Sequence, residues 1–148
     1  IVTAGLYAPT GMNRQPWHFI VVKSPEMMEK IGAARKALPL PPGVPAGARA
    51  MGDPMRNAPV LIFVCGNAEG LASVDCVLAM ENMFIAAASL GIMSGWDHAM
   101  VTQLFQNTPE LKAKLVPEGY EVYAAAFFGY PGPEVKDRGE RKGTVAYF

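Results

Sequence analysis

Hydrophobic positions crowd most densely between residues 73 and 91, SVDCVLAMENMFIAAASLG. Cys76, Val77, Leu78, Ala79, Met80, Met83, Phe84, Ile85, Ala86, Ala87, Ala88 and Leu90 leave almost no angular sector polar, and only Glu81 and Asn82 interrupt them. That spacing predicts a helix apolar all round, begun by a cap at Ser73 or Asp75 and ended by the left-handed turn that Gly91 permits. A membrane span wants about 20 apolar residues, so this polar-flanked stretch reads as a core helix. The run Ala86-Ala87-Ala88 removes bulk and lets another backbone approach. One sheet face cannot cover such a helix on every side, so a second subunit is expected to cover the rest.

The remaining pattern alternates short apolar runs with turn formers. Residues 1–7 read as the last turns of a helix already under way, so a preceding segment is expected; Pro9 stops it. Residues 18–22, HFIVV, read as a buried strand. Ser24-Pro25-Glu26 is a helix start with a hydroxyl cap, a proline at the first position and an acid in the first turn, and that helix is expected to run to about Arg35. The prolines at 39, 41, 42 and 45 exclude helix and central strand there, leaving a surface loop or lid. Residues 58–66, APVLIFVCG, are the strongest strand, and residues 92–96 form another short strand or a turn. Thr108-Pro109-Glu110 repeats the cap-plus-proline start for a helix to about Leu115. Residues 117–119 turn into a strand at 120–129, which Pro131-Gly132-Pro133 breaks, and residues 144–148 have strand character. No repeat or linker divides the chain. A single domain over residues 1–148 is expected, of α+β or α/β class, with one sheet carrying helices.

Composition sharpens this picture only in places. In 148 residues, 51% hydrophobic content supplies a core, and 18% charged content is low for an isolated monomer. A formal net charge of +0 gives no nucleic-acid footprint. Cys65 and Cys76 sit among apolar residues and read as buried reduced thiols, so with no signal peptide in view the cytoplasm is the expected location. Neither cysteine stands at zinc spacing from His18 or His98, so no metal site is expected. No triad, paired carboxylate, phosphate loop or dinucleotide glycine pattern occurs. His18, beside Trp17 and Phe19, reads as structural, as does His98.

The chemistry that remains lies in residues 9–17. Asn13 and Gln15 offer donors and acceptors, and Thr10 and Gly11 can present backbone N–H groups without obstruction. Such a loop suits a planar heterocycle edged with carbonyl and N–H groups; the alternative is a well-bonded surface turn. The run APTGMNRQPWHFIVV resembles the AP(S/T)-x-x-N-x-QPW-x-F signature of the nitroreductase family. NAPVLIFVCG is similar to that family's second strand, VDCVLAMENMFIAAASLGIMSGW to its central helix and exit, and VPEGYEVYAAAFFGYP to its closing strand.

The resemblance implies an α+β, three-layer α/β/α fold with a central mixed, mainly antiparallel sheet flanked by helices, assembled as a homodimer. It implies an FMN-dependent oxidoreductase passing electrons from NAD(P)H to a small acceptor such as a nitroaromatic or quinone. No residue of the chain then acts as a catalytic acid or base. Alternatives are a non-catalytic flavin or small-molecule-binding dimer, a reductive dehalogenase, or a flavin-fragmenting relative. By position, Pro9, Thr10, Gly11 and Asn13 would approach the flavin from one subunit, with Gln15 holding the loop. The backbone at Met93, Ser94 and Gly95 would face the ring from the other. Arg138, Arg141 and Lys142 lie where the family places basic residues near the phosphate, or form an ordinary solvated tail. The family's Arg-Arg-Ser-type phosphate motif has no counterpart in this sequence. Trp17 reads as core.

Overall fold

The computed structural model describes residues 1–40, 55–133 and 139–148. Its centre is β2 (Val60–Asn67), whose unbroken apolar run is buried on both faces. A strand covered on both sides needs neighbours on both edges, and β2 has them. It pairs antiparallel with β1 (Trp17–Val22) on one side and with β4 (Tyr120–Gly129) on the other. β3 (Met93–Trp96) closes the order β1-β2-β4-β3, again antiparallel. β1 is therefore an edge strand, and apart from Val22 its side chains are half-buried or exposed, not buried as its β-branched run predicts.

The pleat sends Leu61, Phe63 and Cys65 into one core and Ile62 and Val64 into the other. A bulge opposite Val64 and Cys65 resets β4, so that Val122 and Ala125 share the first core while Ala124 and Ala126 enter the second. Helix α2 (Pro25–Ala37) covers the first face. It starts as the sequence predicts, with Ser24 Oγ accepting from the Met27 N–H at 3.4 Å, and ends two residues beyond the expected Arg35. The same face carries a π-helical stretch, Met100–Leu104, then α4 (Phe105–Asn107) and α5 (Pro109–Leu115). The Thr108 hydroxyl does not cap α5. It donates to the Leu104 carbonyl at 2.6 Å, and the Thr108 carbonyl instead accepts from the Leu111 and Lys112 N–H groups.

The second face is covered by α1 (Val2–Leu6) and α3 (Ala72–Ser89). Among the described residues α3 is the one helix long and apolar enough to cross a membrane, yet it packs Ala79, Met80, Met83 and Ala87 onto the sheet. It begins one residue before Ser73, after Leu71, with no side-chain cap, so neither Ser73 nor Asp75 serves as expected. Its end follows the sequence. Gly91 takes φ +69°, the Ile92 N–H reaches the Ala87 carbonyl and the Gly91 N–H the Ala88 carbonyl, a Schellman closure. Asn82, one of the two polar interruptions, donates to the Ala4 carbonyl at 3.2 Å and ties α1 down.

Residues 144–148 take no strand conformation here; they are exposed and pair with no strand among the described residues. The proline-rich segment from residue 41 onward, and Arg138, lie outside the described residues.

Candidate functional site

The loop between α1 and β1 folds as a short 3-10 turn, Gly11–Asn13, followed by Arg14, Gln15 and the buried Pro16. Its backbone is unusual. Met12, Asn13 and Gln15 take φ 53°, 54° and 48°, a region where a non-glycine residue costs about 1 kcal/mol or more and which asparagine tolerates best. Gln15 holds the loop twice. Its N–H donates to Thr10 Oγ1 at 3.3 Å, and its Nε2 donates to Asn13 Oδ1 at 2.9 Å. With its oxygen engaged, the exposed Asn13 amide keeps both Nδ2 hydrogens for an incoming acceptor.

Gly11 departs from expectation. Its N–H is not presented outward but donates to Asp75 Oδ1, 3.2 Å away in the first turn of α3. Asp75 is 4% exposed, and its link to a loop 64 residues earlier is beyond any local spacing rule. Beside this contact lies a cleft of about 240 Å³ lined by Gly11, Met12, Arg14, Asn67, Leu71 and Asp75 among others. Asn67 Oδ1 is buried there with no hydrogen-bond partner among the described residues. Arg14, the Asn67 amide and the acids Glu69 and Asp75 give the cleft its polar groups, while Thr10 and Asn13 are not among its lining residues.

The second predicted set stands elsewhere. Met93, Ser94 and Gly95 lie on β3, the edge of the sheet opposite β1, so within one chain they do not meet the loop. Gly95 faces Phe127, and a Cβ at that position would run into the ring. Just beyond, Trp96 and His98 stack at 6.4 Å, both exposed. Arg141 and Lys142 are exposed on the irregular tail.

The rest of the chain offers little competing chemistry. Burial pushes the Cys65 and Cys76 thiols up to about 12, with Cys76 and Glu121 adding to the rise at Cys65 and Asp75 to that at Cys76, so neither is a thiolate nucleophile near neutrality. No group of three metal-ligating side chains occurs among the described residues. His18 packs edge-on against Tyr120, as a structural residue would. One buried acid escaped the sequence reading. Asp97 accepts from the Ala99 and Met100 N–H groups and from Arg35 Nε at 2.8 Å, holding the 97–107 segment to α2.

The chain belongs to the nitroreductase family, whose model matches residues 1–130. A protein of Archaeoglobus fulgidus, provisionally named NADH dehydrogenase/NAD(P)H nitroreductase, is 32% identical over 141 residues, which are 90% of this chain and 72% of that protein. A nitroreductase of Bacteroides fragilis solved with bound FMN is also 32% identical, with a TM-score of 0.79 over 99% of this chain and 83% of its own. A Desulfitobacterium hafniense nitroreductase, likewise solved with FMN, is 27% identical with a TM-score of 0.80 at the same coverage. The resemblance carried by the QPW loop and the central helix is thereby borne out, together with the helix-flanked, mainly antiparallel sheet.

Proposed function

We propose that this chain is an FMN-dependent oxidoreductase that passes electrons from NAD(P)H to a small acceptor such as a nitroaromatic or a quinone. The observation that carries the reading is the Thr10–Gln15 loop, whose Asn13 side-chain amide is exposed and, among the described residues, donates to nothing, in a chain similar to an FMN-bound nitroreductase along 99% of its length. When bound, FMN supplies the hydride and electron transfer, which leaves the protein to bind and orient it. Pro9 and Thr10 would border the approach, and Asn13 Nδ2 would donate to the carbonyl-rich edge of the ring. Donors fixed in advance stabilise negative charge developing at that edge and need no reorganisation during transfer.

A second copy supplies what one chain lacks. Its Met93, Ser94 and Gly95, on the opposite sheet edge, would face the ring from the other side, and Arg138, Arg141 and Lys142 would serve the phosphate. The homodimer forms across the outer face of α3, which is apolar and open in the single chain. Two buried, free cysteines are in keeping with a cytoplasmic location.

The visible absorption spectrum of the purified protein, FMN titration by fluorescence quenching and stopped-flow mixing with NADH and NADPH test the reading. Asn13→Ala is expected to weaken FMN binding by roughly 1–3 kcal/mol, the cost of leaving a buried polar edge unpaired. Leu111→Ala, in the opposite core, is expected to lower stability without touching FMN affinity. A chain that takes up no FMN sinks the reading. One that binds FMN but is not bleached by either nicotinamide is a binder, and the oxidoreductase half falls. An Asn13→Ala variant matching wild type removes the loop from the site.

A further inference from the structure

A loop with three non-glycine residues at positive φ does not keep its shape unaided. Met12, Asn13 and Gln15 persist there only if their surroundings over-determine them. Most bonds of the segment from Thr10 to Pro16 are internal. They are the two made by Gln15, the Asn13 N–H to the Thr10 carbonyl and the Arg14 N–H to the Gly11 carbonyl. Internal bonds fix a shape but not where that shape sits.

Among the described residues two hydrogen bonds seat it on the fold. At its exit the Asn67 N–H donates to the Pro16 carbonyl at 3.2 Å. At its entrance the Gly11 N–H donates to Asp75 Oδ1 at 3.2 Å. Only the second is made by a side chain. Gly11 also lies close on α3, since a Cβ there would stand 3.3 Å from Leu71 Cδ1. Asp75 itself is a buried acid, followed in the chain by the buried Cys76, at the edge of the cleft that Arg14 and Asn67 also line. A buried carboxylate is costly unless its bonds compensate, although the first turn of a helix favours its charge. Among the described residues its hydrogen-bond partner is the Gly11 N–H. Behind it, α3 is anchored to the sheet by Ala79, Met80 and Met83, which makes a rigid support.

We propose that Asp75 is a positioning residue: its carboxylate seats the Thr10–Gln15 loop on α3 and so sets where the Asn13 amide meets the ring edge. This rests on the reading that the loop holds FMN. It acts through Gly11 and touches no reacting atom.

The test uses the full chain with Asp75→Ala, Asp75→Leu and Asp75→Asn, each followed by FMN titration and by tryptic cleavage at the exposed Arg14–Gln15 bond, with thermal unfolding as the fold check. Alanine removes the acceptor, and leucine removes it while filling the space. Both are expected to weaken FMN binding about tenfold, as one unmade buried bond does, and to speed cleavage at Arg14. Asparagine keeps a carbonyl oxygen for the Gly11 N–H and is expected to restore both readouts to within about threefold of wild type. Wild-type binding and wild-type cleavage in either the alanine or the leucine variant overturn the proposal. So does an asparagine variant that folds like wild type yet behaves like alanine. A wild-type chain that takes up no FMN overturns the cofactor reading instead, and the cleavage rates then still decide whether Asp75 seats the loop.

Discussion

Cys65 and Cys76 lie in different cores, on opposite faces of the sheet, and both are fully buried. Burial pushes each thiol from an ordinary 9.0 up to about 12. Unfolded, the thiols lose their protons near 9; folded, they hold them for roughly three units more. The folded state thus binds more protons across that window. The stability tied to the neutral thiols is complete below about pH 9 and is lost as the pH rises toward 12. Urea midpoints are expected to fall from about pH 9 upward. In Cys76→Ala, weaker at neutral pH through its lost packing, they are expected to fall less steeply; parallel curves for the two proteins would refute the account. That these thiols are buried was legible from their apolar neighbours alone. So was the amide-rich character of residues 10–15. The use of the Gly11 N–H was not, because its acceptor sits 64 residues away and a local reading assigns Asp75 to capping its own helix.

Elements were legible where pattern and punctuation agree. The strand at Tyr120–Gly129, the helix after Ser24 and the closure at Gly91 fall where the sequence places them. The helical region of residues 98–107 was not legible. Val101 and Thr102 are weak helix formers, and the π-helical turn from Met100 to Leu104 breaks the 3.6-residue period that a pattern reading relies on. What starts that region is Asp97, 7% exposed, whose Oδ1 accepts from two backbone N–H groups while Oδ2 meets Arg35. Removing the acid orphans the Ala99 N–H and takes the carboxylate from Arg35, while the Met100 N–H keeps its bond to the Asp97 carbonyl. Removing the arginine leaves Asp97 still bonded to the helix start. Asp97→Ala is therefore expected to cost about 3 kcal/mol and Arg35→Ala only about 1 kcal/mol by urea denaturation. Equal losses would mean that the ion pair, not the helix start, carries the effect.

At the scale of the molecule, the sequence feature that fits one chain least well is the all-round apolar helix. Folding resolves half of it. One face of α3 enters the core, while Val74, Val77, Leu78 and Ile85 remain 52, 43, 39 and 61% exposed. These positions, with Ala88, recur at three- and four-residue intervals along the outer face, and Glu81 is the polar exception. A contiguous apolar stripe of this length is uncommon on a monomer, and a self-complementary partner along a two-fold axis would bury it twice over. The predicted site points the same way, because the loop beside β1 and the Met93–Gly95 edge cannot meet in one chain. Stable dimers of this kind bury on the order of 2,000 Å² or more. Sedimentation at micromolar concentration is expected to give twice the 15.9 kDa of one chain. Ile85→Asp, which sets two unpaired carboxylates into that face, is expected to shift the protein to monomer and to lower FMN affinity in step. A wild-type monomer that carries FMN at that concentration would sink the dimer. An Ile85→Asp monomer that binds FMN as tightly as wild type would place the whole site within one chain.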